Sequence, residues 1–188
     1  MLEIRVHGLG GQGAVTLVTW VARAGYAQGL HVQASYFFAA ERRGSPVKAF
    51  LRISEEAIFV RSQVYSPDLL LVMNRDQVPV ALEEGISPDG RFLINGGEEL
   101  AHRLASEYGR DVYSVDATGI AIDLGLEIDG MPMVNLPLFG AVARQSGAAS
   151  LEVAMEVISP IADKTGRPEA YRSAVTRGFE EVTRATPT

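Results

Sequence analysis

The apolar positions of this chain follow two different periods. Short apolar runs, typical of strands, recur between longer stretches in which apolar residues fall three or four positions apart, as in helices. The predicted strands are residues 2–6, 31–38, 47–54, 57–62, 69–73, 91–95 and 111–116. The predicted helices are residues 14–27, 76–84 (interrupted by Pro79), 98–108, 117–125, 138–145, 151–158 and a last one that begins at Pro168.

The patterns of two predicted strands indicate which of their faces are buried. Residues 69–73 form a continuous apolar run, which is typical of a strand buried on both faces. Residues 47–54 alternate between apolar and polar positions, and after a Glu-Glu turn we expect residues 57–62 to return as their antiparallel partner. The pattern therefore predicts one α/β domain, residues 1–188, with a three-layer mixed sheet, one antiparallel hairpin and a helical C-terminal third.

Composition and charge narrow the classes of protein to which the chain can belong. Hydrophobic residues make up 47% and charged residues 21% of the 188 positions, which suits one globular domain with a sizeable core. A net charge of −6 argues against nucleic-acid binding, because neutralising phosphates needs basic residues. No apolar stretch reaches the roughly 18 residues of a membrane-spanning helix, and no leader pattern precedes the first strand. We expect a cytoplasmic protein.

Residue types with catalytic or metal-binding chemistry are sparse. The absence of cysteine excludes disulfides, thiolate zinc sites and iron–sulfur clusters ligated by this chain. The histidines, His7, His31 and His102, lack the spacing of metal ligands. No Ser-His-Asp order, Walker lysine or carboxylate pair is present, so we predict no metal site and no catalytic residue. His7 is interpreted as a packed or hydrogen-bonding side chain.

A cluster of glycines stands between the first predicted strand and the first predicted helix. Gly8, Gly10 and Gly13 fall at G-x-G-x-x-G spacing, with Gly11 and Gln12 between them. A turn of this kind leaves bare backbone at a helix N-terminus, where a phosphate or another chain can approach. The spacing therefore predicts a Rossmann-like strand–turn–helix at the start of the sheet.

Three interpretations of this glycine loop, residues 8–13, are open. A dinucleotide site needs an acid about 20 residues further on to hold the ribose, whereas residues 33–36 read Gln-Ala-Ser-Tyr. A tight turn that lets strand and helix pack closely is the purely structural alternative. The third is a contact with a phosphate-bearing ligand or another subunit, for which Gln12 would place an amide at the helix N-terminus.

A second candidate segment, Glu-Arg-Arg-Gly-Ser-Pro, follows the second predicted strand. Arg42, Arg43, Lys48 and Arg52 lie close to one acid, Glu41, so a basic cluster stands in an acidic chain. The guanidinium fork suits carboxylates and phosphates. In a doubly wound sheet this segment lies on the same edge as the glycine loop, where such folds bind ligands. It predicts a localised anionic partner or an ion-paired subunit contact, with a solvated charged loop as the alternative.

Two further segments are candidates for contacts. The adjacent aromatics Tyr36, Phe37 and Phe38 cannot all face one core, so at least one is expected at a partner surface. Asn135, before Leu-Pro and the next helix, is expected to be a helix cap or part of a contact loop.

Two runs of residues, in order along the chain, carry a family resemblance. They are Gly-Leu-Gly-Gly-Gln-Gly-Ala-Val-Thr at 8–16 and Glu-Arg-Arg-Gly-Ser-Pro-Val-Lys-Ala-Phe-Leu-Arg-Ile at 41–53, with weaker matches at 65–68, 115–118 and 135–142. Over nearly its whole length the chain resembles the gamma subunit of 2-oxoacid:ferredoxin oxidoreductases, the pyruvate synthase group. The second run resembles the branch acting on pyruvate and 2-oxoisovalerate.

The resemblance implies a function carried by a complex. In that family the enzyme oxidatively decarboxylates a 2-oxoacid, couples the acyl unit to coenzyme A and passes electrons to ferredoxin. The resemblance implies that alpha and beta subunits hold thiamine diphosphate with Mg²⁺, and that cysteine-bearing subunits, including a ferredoxin-like delta subunit, hold [4Fe-4S] clusters. For this chain it implies a part in assembly and in the coenzyme A side of the site.

The contacts with coenzyme A are assigned here as a hypothesis from charge, because this ligand carries a diphosphate and a 3′-phosphate. The residues assigned to it are Gly8, Gly10, Gly11, Gln12, Gly13, Arg42, Arg43 and Lys48. A free-standing dinucleotide-dependent reductase and a purely structural subunit are the alternative functions.

Overall fold

The structure, a computed structural model, describes residues 1–38 and 44–188. The strands are β1 (Leu2–Leu9), β2 (His31–Phe38), β3 (Pro46–Ser54), β4 (Leu69–Val72), β5 (Arg91–Asn95), β6 (Val112–Val115), β7 (Glu127–Ile128), β8 (Met131–Pro132) and β9 (Thr183–Ala185). The helices are α1 (Ala14–Ala27), α2 (Val78–Glu83), α3 (Glu98–Tyr108), α4 (Ala117–Asp123), α5 (Asn135–Ser146), α6 (Leu151–Ala162) and α7 (Pro168–Glu180).

The main sheet of the described residues has the strand order β2-β3-β1-β4-β5-β6-β9. β1, β4, β5 and β6 are parallel neighbours, while β3 is antiparallel to both β1 and β2, and β9 is antiparallel to β6. The carboxyl ends of the four parallel strands and of β2 therefore lie at the same end of the sheet. The predicted mixed α/β sheet is confirmed.

Helices cover both faces of the sheet and make the three layers that the pattern predicts. One apolar cluster joins α1, α4, α5, α6 and α7 to one face, and a smaller cluster joins α2 and α3 to the other. α5 and α7 cross so closely that a Cβ on Gly178 would lie 1.9 Å from the carbonyl oxygen of Pro137. This crossing requires glycine, because any side chain would separate the two helices.

The prediction of a strand at 57–62 is wrong. These residues pair with no strand among residues 1–38 and 44–188; Phe59 is 84% exposed, and the antiparallel partners of β3 are β1 and β2. The carbonyl oxygen of Ser62 instead accepts a hydrogen bond from Arg52 Nη1 at 2.8 Å. The antiparallel hairpin is thus β2–β3. A second hairpin, β7–β8, turns at Asp129 and Gly130, both at positive φ, as an Asp-Gly turn favours.

The side chains of β1 alternate between the two faces. Ile4 and Val6 join the larger apolar cluster, whereas Arg5 and His7 lie on the other face, and all four are almost completely buried. The strand therefore carries a polar stripe into the interior, directly before the glycine loop.

Candidate functional site

The glycine loop connects β1 to α1 by a turn that needs glycine at two positions. Gly11 has φ 98° and Gly13 has φ 79°, and Gly13 is the N-cap of α1. The main-chain N–H of Leu9 donates to Oε1 of Gln12 at 2.8 Å, and the N–H of Gln12 donates back to the Leu9 carbonyl at 3.0 Å. The main-chain N–H and the side-chain oxygen of Gln12 thus both bond to Leu9 and fix the turn.

The two candidate segments lie side by side. The N–H of Gly10 donates to the Ser45 carbonyl at 2.8 Å, and the N–H of Gly44 donates to the Gly10 carbonyl at 3.1 Å. The expectation that both segments share one edge of the sheet is therefore confirmed at Gly44 and Ser45. Glu41, Arg42 and Arg43 lie outside the described residues.

A cavity of about 300 Å³ opens beside the glycine loop. Its lining residues are Gly11, Gln12, Gly13, Thr16, Trp20, Ile128, Met131, Pro132, Met133, Asn135, Ile161 and Tyr171. The walls come from α1, the β7–β8 hairpin and the starts of α5 and α7, and they are mostly apolar. α1 has no side-chain cap and no acid in its first turn, so its N-terminal N–H groups keep their partial positive charge for a ligand.

Asn135 is the buried polar side chain of this cavity. It is 7% exposed, and its Nδ2 lies 2.6 Å from the point where a Cβ on Gly13 would stand. No side-chain hydrogen bond of Asn135 occurs within the described part of the chain. Asn135 begins α5 without capping it, so the cap interpretation is wrong. Both α1 and α5 therefore begin at this cavity.

Lys48 lies on the opposite face of the sheet from the cavity. It pairs across the ladder with His7, and its ammonium is 2.6 Å from Oε1 of Glu84. Arg52, also in the predicted basic cluster, is buried with Nε 2.6 Å from Oε1 of Glu3. These two cations of the cluster are thus neutralised within the chain.

Arg5 and His7 are buried side by side on the second face of β1, and the role of Arg5 is not apparent from the sequence. Arg5 donates to the carbonyls of Val64 and Tyr65 at 3.1 and 3.0 Å. Its Nη2 donates to the carbonyl of Ala81 in α2 at 2.8 Å, so the guanidinium ties both the loop at 64–65 and α2 to β1. Burial, together with the nearby Arg5 charge, lowers the pKa of His7 to about 4 against the opposing effect of Glu84. His7 is a packed, neutral side chain at pH 7, as expected.

The dinucleotide interpretation of the glycine loop also meets a topological obstacle. In the dinucleotide-binding fold the acid stands at the end of a strand adjacent to the first. Here β3 lies between β1 and β2, so the end of β2 is two strands away from the loop. The three residues there, Tyr36, Phe37 and Phe38, carry no acid.

Metal chemistry and membrane insertion find no support in the described ranges. No group of three or more His, Asp or Glu side chains among residues 1–38 and 44–188 is placed to hold a metal ion. Across the same ranges, each helix is too short or too polar to pass through a bilayer.

Comparison with known proteins gives the family. The model of the pyruvate ferredoxin/flavodoxin oxidoreductase family matches residues 3–181. The pyruvate/ketoisovalerate oxidoreductases common subunit gamma of Thermococcus kodakarensis is 41% identical over 162 residues, which cover 84% of this chain and 85% of that protein. The pyruvate synthase subunit PorC of Methanothermobacter thermautotrophicus is 38% identical, with 97% and 96% of the two chains covered.

Solved structures agree with these relatives. The crystal structure of pyruvate oxidoreductase subunit PORC from Thermotoga maritima is 33% identical and matches with a TM-score of 0.81 over 97% of both chains. A 2-oxoglutarate:ferredoxin oxidoreductase from Magnetococcus marinus shares the fold, with a TM-score of 0.73 at 21% identity over 32% of that longer chain. The chain therefore belongs to the pyruvate ferredoxin/flavodoxin oxidoreductase family, as an oxidoreductase subunit of the gamma type.

Proposed function

We propose that the chain works as the gamma subunit of a cytoplasmic pyruvate synthase and supplies part of the coenzyme A side of its site. The assembled enzyme decarboxylates pyruvate oxidatively, transfers the acetyl unit to coenzyme A and passes the electrons to ferredoxin. Its relatives named for pyruvate or ketoisovalerate support this substrate class. The partners are alpha, beta and ferredoxin-like delta subunits.

The observation that carries the coenzyme A assignment is the convergence of two helix N-termini and the Asn135 carboxamide beside the glycine loop. The loop, the start of α1 and Asn135 all line one cavity. Phosphate groups favour such a site, because main-chain N–H groups at a helix start donate to them and the helix dipole adds favourable charge. The apolar walls of the cavity suit a ligand that has uncharged parts as well.

The residues assigned to coenzyme A have different roles in this proposal. Gly11 leaves the backbone open to a phosphate and Gly13 begins α1 at the cavity, while Gln12 holds the turn and Gly10 joins the loop to Ser45. Gly8 belongs to the close packing behind the loop, because a Cβ there would lie 3.1 Å from the Met73 sulfur. Arg42 and Arg43 precede Gly44, which is bonded to Gly10, and we propose that they neutralise the coenzyme A phosphates.

Two further assignments complete the proposal. Lys48 is paired with Glu84 on the other face, so we assign it to the buried network instead of the phosphates. The [4Fe-4S] clusters are held by other subunits, since this sequence contains no cysteine, and we assign thiamine diphosphate and Mg²⁺ to the alpha and beta subunits from the family resemblance.

The test is the steady-state kinetics of the assembled enzyme that carries the double substitution Arg42→Ala, Arg43→Ala. We expect the KM for coenzyme A to rise at least about tenfold, because charge-assisted hydrogen bonds to phosphates are lost, while the KM for pyruvate stays unchanged. Arg75→Ala, which removes an exposed arginine elsewhere, is the matched control. An unchanged KM for coenzyme A in an intact complex would refute the assignment and favour a purely structural subunit.

A titration with NADH tests the reductase alternative. Trp20, the single tryptophan, lines the cavity, so binding there should change its fluorescence. We expect no saturable change with NADH on the purified chain; a saturable change would support a dinucleotide site.

A further inference from the structure

The two outer edges of the main sheet are built differently. β9, at one edge, has three residues. Its central residue, Arg184, pairs with Asp111 and lies 5.9 Å from the Tyr113 ring centroid. A short edge strand with a charged side chain discourages pairing with another chain.

β2, at the other edge, has none of these protections. It is eight residues long, contains no Lys, Arg, Asp, Glu or Pro, and pairs with β3 without a bulge from His31 to Phe38. Within residues 1–38 and 44–188, no segment is hydrogen-bonded along its outer side. A row of main-chain donors and acceptors therefore stands open, in the form that accepts an added strand.

Aromatic side chains stand on both faces of this open strand. Tyr36, Phe37 and Phe38 are 38%, 45% and 46% exposed. They are held in place, since the Tyr36 hydroxyl lies 3.2 Å from Oγ1 of Thr19 and the Lys48 ammonium lies 5.5 Å from the Phe37 ring centroid. Half-exposed aromatics fixed in this way can pack against the side chains of a neighbouring strand.

The aromatic end of β2 lies at the same end of the sheet as the glycine loop. Phe38 pairs with Val47, and Val47 pairs with Gly8 on the far side of β3. A strand added to β2 would therefore end beside the loop that is proposed to meet coenzyme A.

We propose that β2 receives an extended segment of a partner subunit, which adds a strand to the outer edge of the sheet. Only an extended main chain can satisfy the whole row of donors and acceptors. The segment should be uncharged and apolar where it faces residues 34–38, because β2 offers aromatic rings and no ionised group there. The identification of the partner as a subunit of the same oxidoreductase rests on the proposed function.

The direct test is amide hydrogen exchange of peptides that cover residues 31–38. It compares the purified chain with the complex purified after co-expression with the other subunits. We expect exchange in β2 to slow at least about tenfold on assembly, because outward-facing amides gain hydrogen bonds. The same complex is assayed for coenzyme A-dependent pyruvate oxidation. Unchanged exchange of β2 in an active complex would overturn the inference and leave the proposed function standing.

Two variants test the edge without touching the glycine loop. Ala34→Lys places a charge at an exposed position in the middle of β2, and we expect the assembled fraction, measured by size-exclusion chromatography, to fall at least about fivefold. Phe59→Lys removes a more exposed aromatic outside the sheet and should assemble normally. Equal assembly of the two variants would overturn the proposal.

Two other outcomes also count against it. If the purified chain forms a dimer in which the β2 amides are already protected from exchange, the partner at this edge is a second copy of the chain. Failure of the wild-type chain to assemble with the other subunits would overturn both this inference and the proposed function.

Discussion

The two faces of strand β1 are buried by different means. Ile4 and Val6 join the apolar cluster beneath α1 and α5, whereas Arg5 and His7 are equally buried under the loops around α2. Packing on the first face is non-directional and tolerates volume-conserving changes. The second face depends on hydrogen bonds. Removal of one partner leaves a buried donor or acceptor unsatisfied, which lowers the free energy of unfolding. One strand thus separates a packed apolar face from a hydrogen-bonded network that ties neighbouring segments to the sheet.

Arg5→Met should show the difference most strongly. The substitution keeps much of the side-chain volume but leaves the carbonyls of Val64, Tyr65 and Ala81 without their donor. We expect the free energy of unfolding to fall by about 4 kcal/mol, measured by urea denaturation. Arg61→Met, at an exposed position, is the control. A loss below about 1 kcal/mol would show that the network is not needed for stability.

The pH dependence of stability tests His7. Its pKa is about 4 in the folded chain against an ordinary value of 6.5, so between these values the unfolded state binds more protons. Stability therefore rises with pH across this window, and acidification from pH 6.5 to 4 should remove up to about 3 kcal/mol. His7→Leu should flatten this part of the profile. An unchanged slope in the variant would contradict the buried, neutral histidine.

Gly178→Ala should break the apolar face at its tightest point. The new Cβ would meet the Pro137 carbonyl oxygen at 1.9 Å, so α5 and α7 must move apart. We expect a loss of about 2 kcal/mol by urea denaturation. Gly166→Ala, where a Cβ meets nothing within 4 Å, should cost almost nothing, and equal losses would contradict the close crossing.

Lys48→Met is expected to have the smallest effect. Its partly exposed ion pair with Glu84 contributes at most about 1 kcal/mol. Because Lys48 faces away from the cavity, the KM for coenzyme A in the assembled enzyme should change less than about twofold. A large increase in the KM for coenzyme A would show that Lys48 contributes to phosphate binding.

Local pattern was sufficient for most of the fold. The glycine spacing predicted the turn into α1, and the continuous apolar run at 69–73 predicted the central strand β4. The prediction of a strand at 57–62 follows from a composition that suits one. The Arg5 and Arg52 side chains instead bind carbonyls at residues 62–65, at and just beyond its end, and such long-range contacts leave no periodic signal. The Asp-Gly pair at 129–130 is a local signal for the β7–β8 hairpin.

The candidate site was predictable only in part. The order of the predicted strands indicated that the glycine loop and the segment at 44–46 lie at the same end of the sheet. It could not place Asn135 over Gly13, because more than a hundred residues separate them and the contact depends on α5 crossing α1. The face taken by Lys48 depends on the register of β3 against β1, which a run of basic residues does not reveal.

The most direct test of the coenzyme A site is the effect of Asn135→Ala on the KM for coenzyme A in the assembled enzyme. Gln145→Ala, a buried polar position near the other end of α5, is the matched control. We expect an increase of about tenfold for Asn135→Ala, with the KM for pyruvate unchanged and no such increase for the control. An unchanged KM for coenzyme A in an intact complex would show that Asn135 does not contact this ligand.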